Sequence, residues 1–413
     1  MFNRVAITGL GIVSPLGCCV KKVWGRLIQG DSGIKIVEGA NHNYRSKLAA
    51  LVEGFNDDGL LSSQQFKRFD KFINYGVSAA DQAIRHAAVA DYYDPHRTSV
   101  IAGSGIGGLN FLEKNITVAN EAGARRISPY FIPGTLISSL PGVLSARYGA
   151  KGPCFSVVTA CATGAHNIIM AAQLIASGQA DMVITGGAEN FEIKTALGGF
   201  GALRALSSSQ NFSPQESSRP WDKDRDGFIC SEGSGMIVLE REDLAKKRGQ
   251  NILAYLSGFG MSSDAYSHIT RPSPDGEGIK SVMHQSMMMA GVIPEDIGYI
   301  NAHATSTPVG DQVELNAIKE VFEGRGTTLK VSSTKSSLGH ALGAAGSMEA
   351  IFCIQALQNQ MAPPTINCIN LDGPCEFDLL RRGADVINTR YVLSNSFGFG
   401  GQNASLLFEK SDH

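Results

Sequence analysis

The 413-residue sequence lacks three features that would each point to a particular class of protein. It has no excess of one charge, since 36 basic and 38 acidic residues leave a net charge of −2; bulk electrostatic binding to nucleic acid or to an acidic membrane surface is therefore not expected. No apolar run reaches the roughly 18 residues of a membrane-spanning helix. No signal peptide precedes the first strand-like segment. We therefore expect a cytoplasmic protein, or an organellar one if a transit peptide has been removed.

Cysteine spacing excludes two further classes. None of the eight cysteines forms a C-x-x-C pair, so neither structural zinc nor thioredoxin-type redox chemistry is predicted. Eight cysteines in a chain of this length do not make a disulfide scaffold, and a reducing compartment is the simpler interpretation.

Short strand-like runs without apolar–polar alternation are interspersed with helical stretches and turns rich in the 47 glycines. Such runs are typical of strands covered on both faces. The predicted strands are 5–8, 99–102, 182–185, 235–239, 299–302 and 392–395. Helical periodicity covers residues 73–87, 162–176, 278–290, 312–322 and 345–358. This alternation predicts an α/β fold.

The two halves of the chain echo each other weakly. Residues 99–105 and 299–305 share one pattern, and similar pairs follow in the same order. Either the fold is duplicated, or the echo is the one that any α/β protein shows. We place a boundary near the polar stretch before residue 250, which predicts halves at 1–250 and 251–413 with a shared core.

Cys161 is a candidate nucleophile. It lies in Thr159-Ala-Cys-Ala-Thr-Gly164, which follows a strand and opens a helix rich in small residues. The positive end of the helix dipole is expected to lower the pKa of a thiol at this position. The alternative is a buried, inert cysteine, which is the usual state of a free cysteine.

Two histidines support the catalytic interpretation. His303 follows a predicted strand, and Lys335 and His340 occupy a second turn between a strand and a helix. Open α/β sheets gather their ligands at the carboxyl ends of strands. A lone histidine is more often structural, and two histidines without a third ligand make a weak zinc site.

Two glycine-rich turns also carry functional interpretations. The turn at residues 395–403 is either a strained hairpin or an oxyanion-hole element with a mobile aromatic gate. Gly103-x-Gly105-x-x-Gly108 fits the dinucleotide fingerprint. That fingerprint also needs an acidic residue after the next strand, and Glu121, the nearest candidate, follows no convincing strand.

Taken together, these motifs resemble those of the β-ketoacyl-acyl-carrier-protein synthases, the elongating condensing enzymes of type II fatty-acid synthesis, and most closely the synthase II group. The resemblance spans essentially the whole chain. The matching stretches are 159–164, 199–207, 219–222, 224–228, 301–308, 332–335, 339–340 and 395–401.

The resemblance implies a thiolase-like fold, with two pseudo-symmetric halves in a five-layered α-β-α-β-α stack, and a homodimer. It implies an acyltransferase that joins malonyl-acyl-carrier protein to a cysteine-bound acyl chain with loss of carbon dioxide. The product is 3-oxoacyl-acyl-carrier protein. The implied partners are the acyl carrier protein and its malonyl and acyl thioesters, with no nucleic acid or membrane. No cofactor or metal is implied, because the carrier brings its own phosphopantetheine.

Catalytic roles carry over residue by residue. By resemblance, Cys161 takes the acyl chain as a thioester, and His303 and His340 support decarboxylation of the malonyl group. Lys335 resembles the family lysine that assists this histidine pair, and Glu349 a glutamate that interacts with the lysine.

Substrate-binding roles carry over in the same way. Thr305 and Thr307 match threonines that hold the pantetheine arm. Thr270 matches a residue at the entrance, Phe399 the gating phenylalanine, and Ile106 a side chain at the acyl pocket. The carrier is acidic, so its docking surface should be basic. The candidates are Lys67, Arg68 and Lys71 on one predicted helix, Arg125, Arg126 and Arg204.

The chain departs from the family pattern at Gln402, where threonine is usual, and at Ser231, where glycine is usual. Two other interpretations stay open. One is a non-catalytic partner subunit of the same fold, against which Cys161 argues because such subunits lack the nucleophile. The other is a nucleotide-dependent oxidoreductase.

Overall fold

The structure is a computed structural model that describes residues 3–38, 40, 44–56, 68–89, 92–191, 193–208, 211–324 and 326–412. Within those residues, no helix combines the length and the apolar character that crossing a membrane requires.

Strands and helices alternate along the described chain. The strands are β1 Val5–Val13, β2 Lys35–Ile36, β3 Leu48–Ala50, β4 Thr98–Gly103, β5 Cys154–Phe155, β6 Met182–Glu189, β7 Cys230–Ser231, β8 Gly233–Arg241, β9 Ala254–Ser263, β10 Ile297–Asn301, β11 Lys330–Ser332, β12 Met361–Ala362, β13 Asp378–Leu379, β14 Asp385–Val386, β15 Tyr391–Gly398 and β16 Gln402–Lys410. The α-helices are α1 Val20–Ile28, α2 Lys71–Ala87, α3 Leu109–Ala122, α4 Phe131–Thr135, α5 Ser139–Tyr148, α6 Thr163–Ala176, α7 Ile193–Ala202, α8 Glu242–Lys247, α9 Glu277–Ala290, α10 Pro308–Val321, α11 Lys335–Leu338 and α12 Ala345–Asn359. Short 3₁₀ turns occupy Pro95–Arg97, Ala124–Arg126, Ala160–Ala162, Pro214–Glu216, Pro294–Asp296, Gly326–Thr328 and Leu342–Ala344.

The large sheet consists of two arrays with the same topology. Outward from the centre, one array runs β1-β8-β6-β4-β5 and the other β9-β16-β15-β10-β11, with β13 at its edge. In both arrays the first two pairings are antiparallel and the next two parallel. The weak sequence echo is therefore a true structural repeat, and the predicted pseudo-symmetric halves are confirmed. The boundary near residue 250 stays a prediction.

The two arrays meet where β1 pairs with β9. Only Ala6 with Tyr255 and Ile7 with Ala254 are in register there. The guanidinium of Arg4 lies 3.5 Å from the centre of the Tyr255 ring, and it forms a 2.7 Å ion pair with Glu409 of β16. The halves therefore share one sheet and one core.

The helices complete five layers. Helices α2 and α5 cover the outer face of the first array, and α9 and α10 cover that of the second. Helices α6 and α12 lie between the two arrays and are buried along most of their length. This is the predicted α-β-α-β-α stack.

Small residues allow the two central helices to approach each other closely. A Cβ on Gly346 of α12 would lie 2.9 Å from the Ala165 nitrogen of α6, and one on Gly164 would lie 2.7 Å from the Ser347 nitrogen. Real Cβ atoms almost never approach a neighbour within 3 Å. The spacing of α6 and α12 therefore depends on glycine at both positions.

The predicted strands fall on observed strands, but several are too short. β1 continues through Gly9 and Gly11 to Val13, where the sequence predicts an end at residue 8. A Cβ at either glycine would collide with a backbone carbonyl of α2, so these glycines allow the helix to pack directly against the strand. Helix α10 begins four residues before its predicted start, with Pro308 in its first turn.

We predict that Gly346→Ala destabilises the protein by about 1–3 kcal/mol, because overpacking a close helix contact typically costs that much. Gly142→Ala is the matched control, since this helical glycine of α5 has no atom near its Cβ position. The control should be neutral or stabilise by up to about 1 kcal/mol through lower unfolded-state entropy. Urea unfolding measures both, and equal stabilities of the two variants would contradict the close approach.

Candidate active site

Cys161 lies in the middle of the 3₁₀ turn that leads into α6. Ala160 before it has a φ of 49°, which is unusual for a residue with a Cβ. The Thr159 nitrogen donates to Thr163 Oγ1 at 2.9 Å, and Thr159 Oγ1 lies 2.9 Å from His166 Nδ1. These side chains hold the strained turn, which directs the sulfur towards a cavity.

The surroundings of the Cys161 thiol have opposing effects on its pKa. Burial raises the pKa to about 12, while the charge of Lys335 and the backbone N–H groups of Phe399 and Cys161 lower it. The expectation that the helix N-terminus leaves this thiol with a low pKa is therefore wrong, because desolvation outweighs the helix dipole. The Phe399 N–H belongs to the glycine turn at residues 395–403, for which an oxyanion-hole element is one of the two interpretations of the sequence.

The two histidines lie side by side in the same cavity. The ring centres of His303 and His340 are 5.3 Å apart with an interplanar angle of 87°. Phe228 contacts His340 edge-on at 5.4 Å, and Phe397 contacts His303 at 5.4 Å. These two phenylalanines were not identified from the sequence, although both lie within motifs that it shares with the family.

Burial also determines the charge of the imidazoles. It lowers the pKa of His303 and of His340 well below the usual value, and the positive charge of Lys335 lowers both further. Both rings are therefore neutral at pH 7. A neutral imidazole can donate one N–H hydrogen bond without supplying a full positive charge.

Lys335 is buried in an ion pair with Glu349. Lys335 is the first residue of α11, and Glu349 lies in the first turns of α12. Burial raises the pKa of Glu349 to about 7, although the lysine opposes this shift. Glu349 is thus placed on the lysine, as the resemblance implies.

Thr305 and Thr307 line the cavity on the loop between β10 and α10. Asp311 holds this loop, because its carboxylate accepts the backbone N–H groups of Thr305 at 2.9 Å, Ser306 at 3.1 Å and Thr307 at 3.2 Å. Ser306 has a φ of 72°. Asp311 was missed from the sequence, although an acidic residue in the first turn after Pro308 was a usable signal.

Glu314 is a second carboxylate that was missed. It accepts the N–H groups of His303 at 2.9 Å and Ala304 at 2.7 Å, and the Asn395 side chain at 3.3 Å. Burial raises the pKa of Glu314 to about 7, while these donors oppose the shift. Glu314 therefore holds the backbone of His303 against Asn395 of β15.

The cavity has a volume of about 450 Å³ and brings most of the predicted site together. Residues of the predicted site that line it are Cys161, Arg204, Thr270, His303, Thr305, Thr307, His340 and Phe399. Gly398 allows the Phe399 turn to lie against the turn of the nucleophile, since a Cβ there would collide with the Thr159 carbonyl oxygen. The Gly400 nitrogen donates to the Ile269 carbonyl at 2.6 Å, which joins this turn to the Thr270 segment.

Ile106 does not line this cavity. The residue is 38% exposed, and its backbone N–H donates to Glu189 at 3.3 Å. The same carboxylate accepts the Gly105 N–H at 2.8 Å. The backbone donors that a dinucleotide phosphate would need are therefore occupied, which argues against the nucleotide-binding interpretation of this glycine turn.

The predicted docking residues occupy several elements. Arg125, Arg126 and Arg204 are exposed. Arg68 lies in the turn before α2, 4.5 Å over the Tyr130 ring, so the prediction that Arg68 and Lys71 share a helix is wrong. That turn ends at Asp70, whose side chain caps α2. Lys67 lies outside the described residues.

The two departures from the family pattern lie beside the cavity. The Ser231 nitrogen donates to the His340 carbonyl at 3.0 Å. Gln402 begins β16 and pairs with Gly398. Both are thus adjacent to functional turns while contributing no side chain to the cavity lining.

Solved structures with the same architecture include a ketosynthase in complex with its type II polyketide acyl-carrier protein, bound to a hexaketide. The two chains superimpose with a TM-score of 0.92 at 28% identity, and each is fully covered. A β-ketoacyl synthase from Burkholderia phymatum gives a TM-score of 0.90 at 30% identity, covering 99% of this chain and 100% of the other. The predicted thiolase-like fold is confirmed.

Sequence comparisons agree with the fold. The chain is 45% identical over 412 residues to 3-oxoacyl-[acyl-carrier-protein] synthase 2 of Vibrio cholerae. It is 44% identical over 410 residues to the synthase 2 of Coxiella burnetii. Each alignment covers 99% of this chain and 99% of the relative. It is 44% identical to the mitochondrial 3-oxoacyl-[acyl-carrier-protein] synthase of Arabidopsis thaliana, covering 98% of this chain and 93% of the relative. Residues 2–245 match the beta-ketoacyl synthase N-terminal domain, and residues 253–369 match the C-terminal domain. The chain therefore belongs to the β-ketoacyl synthase family.

Proposed function

We propose that the chain elongates fatty acids by condensing malonyl-acyl-carrier protein with an acyl group held on Cys161, which yields 3-oxoacyl-acyl-carrier protein. The observation that supports this most directly is the single cavity shared by the thiol, two neutral imidazoles and the paired backbone donors of Cys161 and Phe399.

In the first half-reaction, the Cys161 sulfur attacks the acyl thioester and the phosphopantetheine thiol leaves. The sulfur loses its proton and the leaving thiolate gains one, so the step balances. A thiol with a pKa near 12 is mostly protonated at pH 7. The proton therefore leaves as the carbon–sulfur bond forms, and the N–H groups at the sulfur stabilise the developing charge.

In the second half-reaction, the malonyl thioester loses carbon dioxide. The electron pair of the broken carbon–carbon bond moves into an enolate whose oxygen carries the charge. Neutral His303 and His340 each donate an N–H to that oxygen. Because burial, assisted by Lys335, keeps both pKa values low, neither ring is an imidazolium that could protonate the carbanion before it reacts.

The carbanion then attacks the Cys161 acyl carbonyl. The resulting oxyanion accepts hydrogen bonds from the backbone N–H groups of Cys161 and Phe399. Its collapse expels the sulfur as a thiolate, which takes up one proton from solvent and becomes the thiol again. The reaction balances without a resident cofactor or metal, because decarboxylation supplies the carbanion and the carrier supplies the thiol.

The proposal extends to partners and location. An acyl carrier protein is the partner of one structurally similar ketosynthase, and exposed Arg125, Arg126 and Arg204 suit an acidic carrier. We propose a homodimer as the working form and the cytoplasm as its location, since several relatives are bacterial proteins. A plant relative is named mitochondrial.

The function is tested with purified malonyl- and acyl-carrier proteins. We expect carbon dioxide release and a 3-oxoacyl product from the wild type. His303→Ala and His340→Ala should each lower malonyl decarboxylation about 10²–10³-fold, because each removes a donor to the enolate oxygen. Acyl transfer to Cys161 should partly survive, as measured by protein mass. Wild-type rates of carbon dioxide release from either variant would refute the roles of these histidines. Absence of acylation on Cys161 of the wild type would favour a non-catalytic subunit.

The pKa of Cys161 predicts a steep pH dependence of alkylation. Since only about 10⁻⁴ of a thiol with a pKa near 12 is ionised at pH 8, the iodoacetamide rate at Cys161 should rise about tenfold per pH unit between pH 7 and 10. The urea-unfolded chain is the control, and its cysteines should level off above the ordinary thiol pKa of about 8.5. A plateau below pH 9 in the folded protein would contradict a dominant effect of burial.

The docking surface is tested by reversing single charges. Arg126→Glu and Arg204→Glu should each raise KM for carrier-bound substrate several-fold, and more strongly at low salt, because rim charges act through long-range attraction. Activity of Arg126→Glu with a pantetheine thioester should not change. Arg382→Glu is the matched control. Arg382 is exposed and lies beyond β13, and its replacement reverses the same charge. Similar KM effects on both kinds of substrate would count against a carrier-binding role.

A further inference from the structure

The structural repeat gives the nucleophile turn a counterpart in the second half. The 3₁₀ turn Ala160–Ala162 precedes α6, and the turn Leu342–Ala344 precedes α12 in the same way. Their first residues share an unusual backbone conformation, with φ of 49° at Ala160 and 48° at Leu342. Gly343 therefore occupies the position that corresponds to Cys161.

A carboxylate occupies this second turn. The Gly343 nitrogen donates to Glu189 Oε2 at 2.9 Å, and the Gly105 nitrogen donates to the same oxygen at 2.8 Å. Oε1 accepts the Ser104 hydroxyl at 2.5 Å and the Ile106 nitrogen at 3.3 Å. The side chain of Glu189 thus fills a backbone anion hole that resembles the one at the Cys161 sulfur.

Four donors suit an ionised carboxylate. Glu189 is fully buried at the end of β6, and within the described residues its carboxylate forms no ion pair with a lysine or arginine. Burial raises the pKa of Glu189 to about 7, while the four hydrogen bonds lower it. A glutamine at this position would have the shape of glutamate, but its amide N–H₂ group would face N–H donors. It would therefore lack one of the two acceptor oxygens that the carboxylate provides.

The same carboxylate lies where the turn of Cys161 and the turn of Gly343 meet. A Cβ on Gly105 would lie 3.0 Å from Glu189 Oε2, 3.1 Å from the Ala160 carbonyl oxygen and 3.2 Å from the Gly343 nitrogen. The turn of Gly343 begins two residues after His340. A shift of Gly343 would therefore be transmitted to both Ala160 and His340.

We propose that Glu189 is a positioning residue of the condensing site, because its carboxylate fills the second-half counterpart of the oxyanion hole and holds the turn after His340 against the turn of Cys161. This inference rests on the proposed condensing function. Glu189 contacts neither substrate nor reacting atoms; it acts through Gly105 and Gly343.

The test compares Glu189→Gln with Glu240→Gln. Glu240 is also fully buried, in a network with Thr8, Tyr93 and Arg248, but it pairs with Met182 at the opposite end of β6. At about 3.3 Å per residue, it lies roughly 20 Å from Glu189. The control therefore disrupts a buried glutamate of the same strand pair without affecting the catalytic turns.

We expect Glu189→Gln to lower kcat for condensation at least tenfold per folded molecule, with KM for malonyl-carrier protein within twofold of wild type. Its Cys161 should react with iodoacetamide faster at pH 8, because the charge of Glu189 raises the pKa of that thiol. Glu240→Gln should lower the melting temperature and leave kcat, KM and the alkylation rate per folded molecule within twofold.

Several outcomes would overturn the proposal. A kcat that falls only with the folded fraction, or an alkylation rate that does not rise, would leave Glu189 with a structural role alone. If Glu189→Gln does not fold, Ser104→Ala is the second variant, because it removes one hydrogen-bond donor to Glu189 and keeps the carboxylate. A severalfold lower kcat of Ser104→Ala at unchanged KM supports the inference, and an unchanged kcat refutes it. A wild type without condensing activity would instead refute the proposed function.

Discussion

The close contact between α6 and α12 is the constraint on which the site depends. Both helices lie between the two halves of the sheet, and Gly164 and Gly346 allow their backbones to approach within the space that a methyl group would fill. Because the helices are related by the structural repeat, their N-terminal turns face each other. Cys161 comes from one turn and His340 precedes the other, so this helix contact sets the distance between nucleophile and imidazole.

Desolvation determines the protonation states in this cavity. The same burial that raises the pKa of the Cys161 thiol lowers those of His303 and His340. The cation of Lys335 then lowers all three pKa values, because a nearby positive charge favours thiolate and disfavours imidazolium. One buried ion pair therefore makes the sulfur easier to ionise while it keeps both histidines neutral. A more exposed site would lose both effects to solvent screening.

Buried carboxylates hold the catalytic loops by accepting backbone N–H groups. Asp311 holds the threonine loop, Glu314 holds the backbone of His303, and Glu189 joins the turns on either side of Gly105. Each carboxylate has several donors, so its position is fixed from more than one direction. Rigid loops of this kind allow polar groups to keep their geometry while a long substrate enters and leaves.

Sequence patterns alone predicted the α/β class and the candidate group of Cys161, His303, His340 and Lys335, because periodicity and the ends of strands are local properties. They left the duplication of the halves open, and only the matching strand order of the two arrays showed it. The patterns could not show that Glu189 accepts N–H groups, since its partners lie 83–154 positions away along the chain. The loop N–H groups that Asp311 and Glu314 accept lie only 4–11 positions away, so those two carboxylates could have been found by the sequence patterns. The patterns also gave the wrong direction for the thiol pKa. The helix dipole can be read from neighbouring residues, whereas desolvation depends on everything that the fold packs around the sulfur, so only the tertiary structure decided which effect prevails.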